Sequence, residues 1–221
     1  MNGEYFAEDS KVMEDKERSR SPARTEWYFS AQAERKTSYN IVVVGPSFVG
    51  KEALVRRLVR ENSVKDHVRD YRSKTYSHQL TVDGEDCILS IDLVCDEEPL
   101  TRVDYLYQKA DGFLLVYSTV RDSTLQGATS MHKGIIEKRE KTPLVLVGNR
   151  VDLEQYSQVS SSEGEELARK FSCPFFEASA LSGANVEEAF HCLVREIRRL
   201  RQAECCTNPA PARRLDPCLL L

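Results

Sequence analysis

Ile41-Val42-Val43-Val44-Gly45-Pro46-Ser47-Phe48-Val49-Gly50-Lys51-Glu52-Ala53-Leu54 is the stretch that decides the fold. Four β-branched residues ending at a glycine predict a short strand buried on both faces. Directly after it, Ala53, Leu54, Leu58 and Val59 recur at helical spacing, and Arg56, Arg57 and Arg60 supply a wet side, so a helix is expected at once. Between the two, Gly45 to Lys51 fits the first seven positions of the Walker A phosphate-loop pattern, in the strand–turn–helix context that gives the pattern its meaning. Glycines let the backbone curl so that its N–H groups and the positive end of the helix surround an anion, while Lys51 reaches the outer phosphates. The expected phosphate contacts are therefore Gly45, Ser47, Phe48, Val49, Gly50 and Lys51. The plain alternative is a glycine-bearing strand-to-helix turn with no ligand, and the motifs further along weigh against it.

One position departs from the pattern. A Ser or Thr whose hydroxyl binds Mg²⁺ belongs after the lysine, and Glu52 stands there. A carboxylate ligates Mg²⁺ readily but adds negative charge beside a triphosphate, so compensation by the metal and weakened binding are both open.

Outward from this loop the chain alternates strands with helices. Tyr76–Val82 and Cys87–Leu93 read as an antiparallel pair joined at Asp83-Gly84, a dipeptide that accepts the positive φ of tight hairpins. Phe113–Tyr117, Leu144–Val147 and Phe175–Ala178 are three more strands, separated by segments of helical length, which favours a parallel sheet. The last helix carries one apolar stripe, Val186, Ala189, Phe190, Leu193, Val194, Ile197 and Leu200, with Asn185 and Glu188 as an expected capping box. Residues 61–75 read as a loop. Residues 1–37 mix charges, Ser and Pro with few apolar groups and read as a flexible arm; residues 38–202 form the folded domain and 203–221 a tail.

Asn149-Arg150-Val151-Asp152 follows a strand directly, and Ser179-Ala180-Leu181 follows the next, so both place polar groups at the carboxyl edge of the sheet. Taken alone, Asn149 and Asp152 form an Asx turn as readily as a binding site. Ordered after the phosphate loop, they resemble the base-reading motifs of the Ras superfamily of small GTPases, Asn-Lys-x-Asp and Ser-Ala-Lys. The resemblance runs from about Asn40 to Gln202. It implies a P-loop NTPase fold, the Ras-like G domain: an α/β protein with a mostly parallel six-stranded sheet, one antiparallel strand and helices on both faces. It also implies GTP or GDP as ligand. Asp152 would accept from the guanine N1 and N2 groups, Asn149 would contact the opposite edge, and the Ala180 N–H would donate to O6. Arg150 replaces the lysine, and its flat guanidinium suits stacking on the base. Leu181 replaces the second lysine.

The resemblance weakens at the switches. In the family a threonine after the first helix and an Asp-x-x-Gly-Gln segment serve the metal, the γ-phosphate and the attacking water. Counting back from the hairpin lands on Tyr71 or Asp70 in place of the threonine, with Thr75 a distant substitute. Counting back from Gly112 puts Asp92 at the metal-side carboxylate, Cys95 at the glycine and Asp96 at the water-positioning glutamine. Glu52 and Asp92 are thus the metal candidates, and an anionic Asp96 predicts a slow or inactive GTPase. Ser47 and Phe48 also stand where Ras itself has glycines.

The chain ends Cys218-Leu219-Leu220-Leu221, a prenylation box whose final leucine favours geranylgeranyl. Cys205 and Cys206 are candidates for palmitoylation, and Arg198, Arg199, Arg201, Arg213 and Arg214 for anionic headgroups, as second membrane signals. Localisation is expected at the cytoplasmic face of a membrane, the plasma membrane foremost. The net charge of −4 among 221 residues gives no field that draws nucleic acid, and seven cysteines without a disulfide or zinc spacing are expected to be reduced. A monomer with guanine nucleotide, membrane, effector and regulator partners is the expectation. The rival class is an interaction module that keeps fold and lipid without a nucleotide cycle.

Overall fold

The computed structural model describes residues 37–61, 69–70, 75–94 and 98–207. The chain divides into Met1–Arg35, which lies outside the described residues, and Lys36–Leu221. Within the second unit the elements run β1 (Thr37–Val44), α1 (Lys51–Glu61), β2 (Arg69–Asp70), β3 (Thr75–Val82), β4 (Glu85–Leu93), α2 (Leu100–Lys109) and β5 (Gly112–Ser118). They continue with α3 (Ser123–Lys138), β6 (Leu144–Asn149), a 3₁₀ turn (Val151–Tyr156), α4 (Ser161–Phe171), β7 (Phe175–Ala178) and α5 (Val186–Thr207).

The sheet order is β2-β3-β4-β1-β5-β6-β7. Strand β3 alone runs against its neighbours, pairing antiparallel with β4 and with the two-residue β2. The six expected strands are all present, and β2 adds an edge pairing inside the segment read as a loop. The β3–β4 turn has Asp83 at φ 55° and Gly84 at φ 81°, the left-handed geometry its composition predicts.

Each face of the sheet carries its own core. On one side Leu54, Val55, Leu58 and Val59 of α1 and Phe190, Leu193, Val194 and Ile197 of α5 pack on Ile41, Val43, Leu89, Ile91 and Leu93. On the other, Leu106 of α2, Ile135 of α3 and Leu167 of α4 pack on Val42, Val44, Phe113 and Leu115. Strand alternation divides the β1 and β4 side chains between the two layers, so the parity of a residue fixes which helices it meets. Ala53, expected on the apolar stripe of α1, is exposed.

Helix α5 is held by more than its stripe. Arg198 donates to the Tyr39 hydroxyl at 3.1 Å and the Val82 carbonyl at 2.9 Å, and Arg201 bonds Asp111 at 2.6 Å while lying 4.8 Å from the Tyr39 ring centre. These arginines tie α5 to the β3–β4 turn and β1, so they are structural and not a free basic face. The expected cap of α5 is not formed: Asn185 sits at φ 55° and its amide donates to the Glu177 carbonyl at 2.7 Å. A capping box closes α4 instead, between Ser160 and Glu163.

Candidate functional site

Strands β1, β5, β6 and β7 run parallel and bring Val44, Ser118, Asn149 and Ala178 to one edge of the sheet. The strand order reverses between β1 and β5, and the loops above that point form the crevice where open α/β sheets bind ligands. The loop after β1 curls tightly there. A Cβ on Gly45 would stand 2.2 Å from the Val116 carbonyl oxygen, so only glycine lets this turn lie against β5. Lys51, at the start of α1, folds back over the loop and donates through Nζ to the carbonyls of Gly45 at 2.5 Å and Pro46 at 2.8 Å. That pose holds an ammonium above the N-terminus of α1, where the helix dipole adds positive potential.

Asn149 joins this loop to the neighbouring ones. It is 1% exposed; its Nδ2 donates to the Val49 carbonyl at 2.8 Å and its Oδ1 accepts from the Ala180 N–H at 3.2 Å. Gly50, at φ 93°, leaves the room this requires: a Cβ there would lie 2.4 Å from Asn149 Nδ2. Arg150, at φ 75°, donates to the Phe48 carbonyl at 2.8 Å, so its guanidinium is anchored to the phosphate-loop backbone in this structure. Asp152 accepts from the buried Ser179 hydroxyl, which in turn accepts from the Leu181 and Ser182 N–H groups at 3.2 and 3.1 Å. The two segments that resemble base-reading motifs are thus one hydrogen-bonded unit, joined through Asn149 to the loop after β1.

Two contributors were not legible in the sequence. Arg57, on the side of α1 read simply as wet, donates to the Leu181 carbonyl at 3.2 Å and the Ser182 carbonyl at 3.0 Å. Thr119, after β5, donates to the Asn149 carbonyl through its N–H at 3.0 Å and its hydroxyl at 3.1 Å. Nothing in their local sequence marks either one. Between α1 and the Ala180–Leu181 loop lies a cavity of about 520 Å³ lined by Ala53, Arg56, Arg57, Arg60, Ala180 and Leu181. Leu181, which lines it, is 76% exposed, and Phe48 in the loop after β1 is 79% exposed.

The two metal candidates have different partners. Glu52 Oε1 accepts from the Tyr76 hydroxyl at 2.9 Å and from Arg56 at 2.8 Å, on the α1 face of the sheet. The Tyr76 hydroxyl, and then the Glu52 charge, raise the basicity of the Arg56 guanidinium. Asp92 pairs in register with Val42 and accepts from the Thr75 hydroxyl at 2.5 Å. Val42 belongs to the core layer opposite α1, and alternation therefore puts Asp92 on that opposite face, while Leu93 takes the α1 side. Among the described residues no three His, Cys, Asp or Glu side chains group to hold a metal ion. Tyr71, Cys95, Asp96 and Cys218 lie outside the described residues, as do the side chains of Asp70, Cys205 and Cys206.

Comparison with known sequences gives a consistent result. A sequence model of the Ras family matches residues 40–199. The chain is 37% identical over 169 residues to Ras-like protein rasS of Dictyostelium discoideum, covering 75% of this chain and 87% of that one. It is also 37% identical over 170 residues to Ras-like protein 2 of Mucor circinelloides f. lusitanicus, covering 76% and 85%.

Proposed function

This chain belongs to the Ras family of small GTP-binding signalling proteins, and from that premise we propose that it is a membrane-anchored guanine-nucleotide switch with slow or absent hydrolysis. The observation that carries the nucleotide reading is Asn149, which bonds the phosphate loop at Val49 and the base-reading loop at Ala180 with one side chain. Phosphates and purine must be bound together for a nucleotide to be held, and this side chain fixes the separation of their two binding loops. Gly45 to Lys51 supply backbone N–H groups and an ammonium for the phosphates. Asp152, an acceptor only when ionised, matches the N1–H and N2–H₂ donors of guanine and rejects adenine, which presents an acceptor at N1. The Ala180 N–H, shared between Asn149 Oδ1 and the base, and Asn149 serve the O6 edge, and Arg150 the face of the ring. Ser179 orients Asp152 and the loop behind it. Competition against fluorescent GDP tests this reading: GDP and GTP displace it and ATP does not, whereas displacement by ATP at equal concentration overturns the guanine assignment.

Slow hydrolysis rests on residue chemistry. Catalysis in this family positions a water and stabilises charge on the transferring phosphoryl group. By its place in the sequence, Asp96 supplies a carboxylate where the family has the water-positioning amide, and a carboxylate there would repel the charge that develops. Phe48 puts a bulky side chain at the mouth of the loop, where it obstructs an arginine delivered by a partner. Single-turnover assays are expected to show cleavage at or below the intrinsic rate of a Ras-like domain; fast cleavage contradicts this.

Anchoring rests on the Cys218 prenylation box, with Cys205 and Cys206 as acylation sites. No helix among the described residues is long and apolar enough to cross a membrane. Because Arg198 and Arg201 are engaged within the domain, Arg213 and Arg214 are the better candidates for headgroup contact. The plasma membrane is the proposed site, with residues 61–75 and 94–103 as effector surfaces. Cys218→Ser is expected to move the protein from the membrane to the soluble fraction, and unchanged membrane association refutes the anchor. A second reading, an interaction module without a nucleotide cycle, is favoured by Glu52 in place of the metal-binding hydroxyl and Cys95 in place of the glycine; it predicts an empty site in the purified protein.

A further inference from the structure

We infer that this chain holds its guanine nucleotide without help from a divalent cation, because a Tyr76–Glu52–Arg56 cluster closes the seat the cation would take. The inference rests on the nucleotide-binding reading above.

Glu52 is the second residue of α1, next to Lys51, where a family member places a metal-binding hydroxyl. Two donors meet on one of its oxygens. Tyr76 is 6% exposed, and its ring belongs to the core layer shared with Leu54, Leu58 and Ile91, so its hydroxyl is held in place by packing. Arg56, one helical turn along, approaches the same oxygen. A hard cation takes a carboxylate from this position only by displacing the packed Tyr76 hydroxyl together with the half-exposed Arg56 guanidinium.

The second metal-side residue, Asp92, is engaged as well: it accepts from the Thr75 hydroxyl at 2.5 Å. A cation bound at the phosphates would therefore compete for two carboxylates that already have hydrogen-bond partners in the chain. The positive charge near the phosphates comes from Lys51 and the backbone N–H groups of the loop, all covalently part of the chain.

The test uses the full chain loaded with fluorescent GDP, with release followed in excess Mg²⁺ or in excess EDTA. The two release rates are expected to agree within about twofold, a free-energy difference well under the 1.4 kcal/mol of a tenfold change. Glu52→Ser, which restores a hydroxyl and removes the carboxylate, is expected to make release at least about tenfold faster in EDTA than in Mg²⁺. Tyr76→Phe, which keeps the carboxylate but loosens it, is expected to acquire a smaller response of the same sign. Release from the natural sequence that is strongly accelerated by EDTA overturns this inference and leaves nucleotide binding intact. So does metal-insensitive release in all three proteins, since the cluster then closes nothing. A protein that holds no GDP in either buffer refutes the nucleotide-binding reading itself, and this inference with it.

Discussion

Gly50→Ala would set a methyl group 2.4 Å from Asn149 Nδ2, on a backbone held at φ 93°. An L-residue forced to positive φ costs about 1–2 kcal/mol. The larger effect is on Asn149, which must leave the Val49 carbonyl, the Ala180 N–H or both; two net hydrogen bonds are worth about 1–3 kcal/mol together. The sum, about 2–5 kcal/mol, corresponds to roughly a thirtyfold to several-thousandfold loss of GDP affinity if the native loop geometry is needed for binding. Asn149→Ala alone removes the bonds without the strain and should cost about 1–3 kcal/mol. In the double variant the methyl added at position 50 meets only the short alanine side chain at position 149, and the hydrogen bonds cannot be lost twice. Its cost should therefore fall short of the summed single costs by about 1–3 kcal/mol, the size of coupling seen for residues in contact. Equilibrium titration with fluorescent GDP gives the three affinities, and urea unfolding of the same proteins separates binding from stability. Strict additivity, or a Gly50→Ala protein with native affinity, would refute the claim that one side chain couples the two loops.

Arg57→Ala removes both bonds from α1 to the Leu181 and Ser182 carbonyls and should speed GDP release about fivefold in stopped-flow measurements, with Arg57→Lys recovering part of the loss; unchanged release would mean that Ser179 holds the loop alone. Tyr117 is fully buried, and among the described residues its hydroxyl has no hydrogen-bond partner, so Tyr117→Phe should raise the melting temperature by about 2–4 °C, and a fall would contradict the orphaned hydroxyl. His132 stacks on Phe171 at 3.7 Å between ring centres, and burial lowers its pKa below the ordinary 6.5. The unfolded chain then binds a proton before the folded one does, so this contribution is present above about pH 6.5 and is lost as pH falls toward the lower folded value. His132→Gln should flatten that part of the denaturation profile, and identical slopes for the two proteins would count against it.

Much of the domain can be read from local signals because those signals are short-range. The run from Ile41 to Val44 marks its strand through β-branching, and Asp83-Gly84 marks its hairpin through tolerance of positive φ, which the structure places at 55° and 81°. The stripe from Val186 to Ile197 is buried as its spacing predicts. Asn149, Asp152, Ser179 and Ala180 stand in the sequence as two separate motifs, and the structure joins them into one hydrogen-bonded unit. What escapes the sequence depends on register or on distant partners. One residue of register decides which face of β4 a side chain takes, and that register is set by pairings such as Thr75 with Asp92 across the hairpin. The Glu52 carboxylate has the chemistry of a metal ligand, and its partner Tyr76 lies on β3, beyond any local pattern. Asn185 has the composition of a cap but bonds the Glu177 carbonyl, while Ser160 makes the capping box that is present. Arg57 and Arg198 resemble ordinary wet-face arginines in the sequence because their acceptors lie more than a hundred residues away.

The central claim is that the loop around Lys51 and the Asn149–Asp152 unit hold one guanine nucleotide between them. Denaturing the purified full-length protein and identifying the released small molecules by chromatography tests it most directly. The account predicts GDP or GTP at close to one per chain, with adenine nucleotides at background; a chain that releases no nucleotide, or releases ATP or ADP instead, contradicts it.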